Sequence, residues 1–130
     1  MKEDPLEKHL LYQPKNKLTS KLDFEFNFYK SLYEKLPNDK RVIALLAELY
    51  TRNGFYDAGL ELDRKLVAMD SNDSIARYNL ACSLALMSEL SEALESLKEA
   101  IRLGFKELKW ILEDPDLANL RETEAFLAYK

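Results

Sequence analysis

The chain has 130 residues, 47% of them hydrophobic and 32% charged, with a formal net charge of −4. That length suits a single domain with a real core. One Cys excludes an internal disulfide framework and any multi-thiolate zinc site, and one His excludes two-His metal motifs. Three glycines leave no room for a phosphate-cradling loop and disfavour a turn-rich sandwich or barrel. The interleaved charges lack the basic footprint of a nucleic-acid binder. No apolar run approaches the ~18 residues of a membrane span. The start, Met1-Lys2-Glu3-Asp4-Pro5, is acidic and broken by proline, unlike a secretory signal, so a cytoplasmic location is expected.

Taken in chain order, residues 1–17 read as a lead-in, with one turn of helix around Leu6 to Leu11. His9 falls here and is expected to be solvated rather than catalytic. Ser20 and Asp23 form a Ser-x-x-Asp capping box that opens a helix over 20–36. Leu22, Phe26, Tyr29, Leu32, Tyr33 and Leu36 keep its spacing. Leu22, Phe24, Phe26 and Phe28 also alternate as a strand would, but that alternation ends at Phe28 while the helical period runs on to Leu36. One Phe must then point outward. Asp39 is a predicted N-cap before Lys40. Val42, Ile43, Leu45, Leu46, Leu49 and Tyr50 follow with helical spacing, and Asn53-Gly54 ends the run. A second helix is predicted from Tyr56 to Met69, burying Leu60, Leu62, Leu66 and Met69. Asp73 or Ser74 caps the next, which carries Ile75, Tyr78, Leu80, Ala81, Leu84 and Leu86. After the turn 88–91, Ser91 starts a helix with Ala93, Leu94, Leu97, Ala100 and Ile101, closed by Gly104. Short helices are expected at 108–112, at 116–120 behind an Asp114 N-cap with Pro115 in first position, and at 123–128. Trp110 is expected to plug the end of the core.

These helices repeat. Sliding 40–73 over 74–107 puts Leu46 on Leu80, Ala47 on Ala81, Leu60 on Leu94, Glu61 on Glu95, Gly59 on Ala93 and Val67 on Ile101. Pro37, Ser71 and Phe105 fall at the same spacing. A helix–turn–helix with a period of 34 resembles the tetratricopeptide repeat (TPR). The matching residues are Leu46, Ala47, Tyr50, Gly54, Tyr56 and Gly59 in the first repeat, and Leu80, Ala81, Ala93 and Ala100 in the second. Tyr29 and the turn 36–39 resemble the end of a degenerate repeat. The stretch Asp114-Pro115-Asp116-Leu117-Ala118-Asn119-Leu120-Arg121 resembles the closing end of a bacterial-type array. The sequence departs from the family pattern at the leading Trp (Ile43, Arg77), the second-helix aromatic (Asp63, Leu97) and the closing Pro (Ser71, Phe105).

The resemblance implies an all-α superhelix of about two and a half repeats. It comprises a half repeat at 18–39, repeats at 40–73 and 74–107, and a cap at 108–130. It also implies a concave face lined by the first helix of each repeat: Arg41, Ala44, Glu48, Thr51 and Arg52, then Ile75, Tyr78, Asn79, Cys82 and Ala85. The first stripe is polar and mixed in charge, the second apolar with Asn79 as its polar handle. The expected function is a non-enzymatic module that docks a peptide or protein segment, with no cofactor and no metal. The alternative is a structural role, as a homodimer or part of a larger assembly, with the groove covered by a second copy or by the chain's own Leu10-Leu11-Tyr12. A carboxylate-clamp role fits poorly: Asn79 matches, but Ala44 and Glu48 stand where Lys and Asn are needed. Asp70-Ser71-Asn72-Asp73 lacks the spacing, Gly and final Glu of a calcium loop and reads as a helix cap. Cys82 reads as a packing residue rather than a nucleophile, since no His stands at a partner position.

Overall fold

A computed structural model describes residues 17–129, with side chains from residue 21 onward. His9 and Leu10-Leu11-Tyr12 lie outside the described residues. Every described element is helical: α1 (Lys17–Lys35), α2 (Lys40–Arg52), α3 (Tyr56–Met69), α4 (Ser74–Leu86), α5 (Leu90–Arg102), α6 (Leu108–Glu113), a 3-10 turn (Pro115–Leu117), α7 (Ala118–Arg121) and α8 (Glu124–Tyr129). The all-α expectation therefore holds. The chain divides into two compact units, one ending at Leu62 and one beginning at Asp63.

The 34-residue period is written into the backbone. Helices α2, α4 and α6 begin at Lys40, Ser74 and Leu108, in the same register. The Asp39 carboxylate accepts from the Arg41 and Val42 amides at 2.9 and 3.2 Å. Asp73 repeats this on Ile75 and Ala76 at 3.0 and 3.1 Å. Each cap satisfies amides that the first helical turn leaves without partners. The helix ends match as well. The Phe55 amide donates to the Tyr50 carbonyl, and the Glu89 amide to Leu84, both at 2.9 Å. Gly54 turns the first end with φ +87°, and Ser88 takes the same left-handed position with φ +62°. Glycine does this freely, whereas a Cβ is strained there.

In the first unit α1 packs on α2. Phe26 is its buried anchor, with ring centroids 5.1 Å from Tyr50 and 5.7 Å from Phe55. Helix α2 buries Val42, Ile43, Leu46, Ala47, Leu49 and Tyr50. Gly59 marks a close crossing of α3 over α2: a Cβ there would stand 2.1 Å from Thr51 Oγ1 and 3.4 Å from the Ala47 carbonyl. Two expectations change. Helix α1 starts at Lys17, so Ser20 sits within the helix and is no N-cap; Lys17 and Leu18 are good helix formers that carry it upstream. Both Phe24 and Phe28 point outward, their rings stacked at 6.4 Å.

In the second unit α4 packs along α5. Helix α4 buries Leu80, Ala81 and Leu84, and α5 buries Ala93, Leu94, Leu97 and Ala100. Each fully buried Leu contributes about 1.5–3 kcal/mol. Met69 is half-buried rather than buried. Helix α5 starts at Leu90, one residue before the Ser91 start, and Glu89 makes no side-chain cap. Ile111, Leu117, Leu120 and Phe126 carry the C-terminal elements into the core. Trp110 is 48% exposed and does not plug it. On so short a helix one position turns inward, and Ile111, about 100° round from Trp110, takes it.

Candidate functional site

The ten residues expected on a concave face fall into two groups. In the first unit Arg41, Ala44, Glu48 and Arg52 lie toward solvent along α2, and Thr51 is half-buried beside Gly59. Arg52 lies 3.7 Å from both Glu48 and Glu25, and Arg41 is 3.9 Å from Asp39. Such solvated pairs are worth little individually. They leave a charged strip interrupted by Ala44 and the exposed Leu45.

In the second unit Ile75 is 62% exposed and Asn79 is exposed, but Tyr78, Cys82 and Ala85 are buried. The segment after α6 covers them. Pro115 forces the preceding residue into extended backbone, so α6 stops at Glu113 and Asp114 turns back over α4. The Asp114 carboxylate serves both segments. Its Oδ1 accepts from the Asp116 amide at 3.0 Å, capping the 3-10 turn. Its Oδ2 accepts from the Tyr78 hydroxyl at 2.5 Å and the Cys82 thiol at 3.7 Å. Tyr78 stacks on Phe105, ring centroids 4.2 Å apart and 9° from parallel. One turn further on, Asn119 Nδ2 donates to the Ala85 carbonyl at 2.7 Å. Arg121 donates to the Ile111 and Asp114 carbonyls at 2.9 and 2.7 Å, satisfying the end of α6.

Burial, then the neighbouring carboxylate, pushes the Tyr78 phenol and the Cys82 thiol well above their ordinary values. Desolvation, then the Asp114 charge, raises the Asp116 carboxyl. Both forces disfavour a second negative charge in one buried place. A thiol held protonated is a poor nucleophile and a poor metal ligand. Donor atoms of Cys82, Asp114 and Asp116 lie within 4.8 Å of one another, the makings of a three-ligand cluster. Asp114's oxygens are already committed to the helix cap and the phenol, and this favours a structural network over a cation site.

The sequence marks Tyr78 and Cys82 on one stripe and Asp114 as a cap, but not that the Asp114 carboxylate joins Tyr78 and Cys82 to that cap. Its signal was there: an Asp-Pro step 34 residues after Leu80, a buried position of α4. A second buried carboxylate, Asp63, takes a hydrogen bond from Ser83.

No family model matches the chain. It is similar to a chloroplastic protein of Arabidopsis thaliana, with 29% identity over 103 residues. That match covers 77% of this chain and 30% of the plant protein, so the chain spans less than a third of the relative. Among the described residues no helix is long and apolar enough to cross a membrane.

Proposed function

We propose that this chain is a TPR-like helical-repeat module that docks a peptide or protein segment and performs no chemistry. The observation carrying this reading is the recurrence of helix starts at Lys40, Ser74 and Leu108 with matching Asp39 and Asp73 caps. A 34-residue helical hairpin unit cannot bury its apolar face alone and stacks on its neighbours, which in such arrays presents an extended binding face. The α2 strip of Arg41, Ala44, Glu48 and Arg52 is the docking surface. On α4 only Ile75 and Asn79 of the expected residues are accessible to a partner. Tyr78, Cys82 and Ala85 serve the fold beneath the C-terminal cap. The protonated, buried Cys82 thiol supports a non-enzymatic role.

A rigid preformed strip limits the ordering cost of binding. The test is capture with the purified protein and with an Arg41→Glu/Arg52→Glu variant of unchanged helicity. Selective loss of captured proteins in the variant supports the reading, and identical capture overturns it. Homodimerisation is the competing role. A concentration series in light scattering decides it, because a monomer throughout excludes it. Cytoplasmic location is part of the proposal, and the relative's name makes the plastid the competing outcome for a tagged protein.

A further inference from the structure

The repeat register exposes an anomaly in the core. Asp63 stands 34 residues before Leu97, which is fully buried, yet Asp63 is itself only 5% exposed. Ser83 stands 34 residues after Leu49, again a buried leucine, and is 2% exposed. Two slots that hold leucine in the sister repeat thus hold a carboxylic acid and a hydroxyl. The two polar residues face each other, with the Ser83 hydroxyl donating to Asp63 Oδ2. A carboxylate placed in a leucine slot loses its hydration, and a single neutral donor replaces little of it.

The charged and titratable side chains of the surrounding helices have contacts of their own. Beside it on α3, Arg64 pairs with Glu92 of α5 at 2.7 Å. On α4, Arg77 donates to the Ser71 carbonyl, and Tyr78 and Cys82 donate to Asp114. On α5, Lys98 lies 3.6 Å from Glu95, and Arg102 pairs with Glu99. Burial and the Ser83 bond are left to govern the Asp63 carboxyl.

We propose that Asp63 and Ser83 form a proton-operated clasp that seats the C-terminal half of α3 on α4: the Ser83 bond is stronger to the ionised carboxylate, but the cost of burying that charge outweighs it, so the joint as a whole is firmer with Asp63 protonated. The clasp stands independently of the docking function proposed above. Burial pushes the Asp63 carboxyl up to about 6, only partly opposed by the Ser83 bond. The folded value lies above the unfolded one, so this group's stabilising contribution is complete below the unfolded value. It is lost as pH rises through the folded one. The device therefore works against the usual acid sensitivity of proteins. It holds this joint most firmly in mildly acidic conditions.

The experiment compares urea unfolding of the full chain at pH 5.0 and 7.5 with that of Asp63→Asn and Asp63→Leu. With a shift from 3.8 to about 6, the wild-type folding constant is expected to fall about tenfold more than either variant's over that interval, about 1.4 kcal/mol. Contributions of all other groups cancel in the comparison. Parallel pH profiles for wild type and variants overturn the clasp. Should either variant fail to fold, NMR titration of the Asp63 carboxyl carbon in the wild type replaces it. A midpoint in the ordinary range near 4 overturns the proposal, and one near 6 supports it.

Discussion

Replacing Tyr78 with Phe isolates the most connected polar contact in the C-terminal cap. The substitution keeps the ring that stacks on Phe105 at 4.2 Å and deletes only the hydroxyl that donates to Asp114 at 2.5 Å. Asp114 keeps its cap bond to the Asp116 amide and its contact with Cys82. What it loses is its shortest donor, in a place too buried for bulk water to compensate. Hydrogen bonds to charged groups contribute about 1.5–3 kcal/mol, and leaving a buried partner unmet brings the full loss. The expected destabilisation is therefore about 2 kcal/mol, read as a lower midpoint in urea followed by circular dichroism at pH 7.5. The slope of the transition should not change, because the same surface is exposed on unfolding. Asn79→Ala, one residue along on the exposed side of α4, is the control and should shift little. A Tyr78→Phe loss below about 0.5 kcal/mol, the low end for any hydrogen bond, would falsify the view that Asp114 joins the cap to α4.

Gly59→Ala drives a Cβ to 2.1 Å from Thr51 Oγ1 and should destabilise by about 1–3 kcal/mol. Adding Thr51→Ala should recover most of that in a double-mutant cycle, and purely additive losses would place the strain elsewhere. Ser88→Gly relieves a non-glycine residue at φ +62° and should stabilise by about 0.5 kcal/mol, whereas Gly54→Ala at the equivalent turn should cost about 1 kcal/mol. Thermal melts of the pair should move in opposite directions. Leu97→Ala, at a fully buried position of α5, should cost about 2–5 kcal/mol, while Arg64→Ala, on an exposed ion pair with Glu92, should cost less than about 1. Comparable losses for the two would contradict the assigned core.

Local chemistry made most of the helices legible. Asp39 and Asp73 stand immediately before apolar runs of helical period, and the helices begin there. Asn53-Gly54 and Asp114-Pro115 mark ends through conformations that few other residues allow. Helix α1 was less legible at its start, because Ser20 has a capping side chain but the helix-forming residues before it outweigh the cap. Trp110 and Ile111 show a second limit. Both are large and apolar and they are adjacent, so periodicity over six residues cannot say which turns inward. The candidate site was half legible. Helical spacing placed Tyr78, Cys82 and Ala85 on one stripe of α4, and they do lie together. Whether that stripe meets a partner or the chain's own later residues is a question of long-range packing. The answer depends on Asp114 and Asn119, more than thirty residues away. Asp63 was visible as a departure from the repeat pattern, but its burial against Ser83 needed the packed structure.

Helix α6 begins in register with α2 and α4 and is then cut off after six residues by an Asp-Pro step. In effect the chain opens another unit and cancels it. Its Asp114 and Asn119 reach back to Tyr78 and Ala85, 36 and 34 residues earlier. Residues 108–129 thus take their footing on the unit that precedes them. On the repeat reading proposed above, duplicating 74–107 ahead of Leu108 should yield a longer folded chain, because each copy supplies its own Tyr78 and Ala85 equivalents.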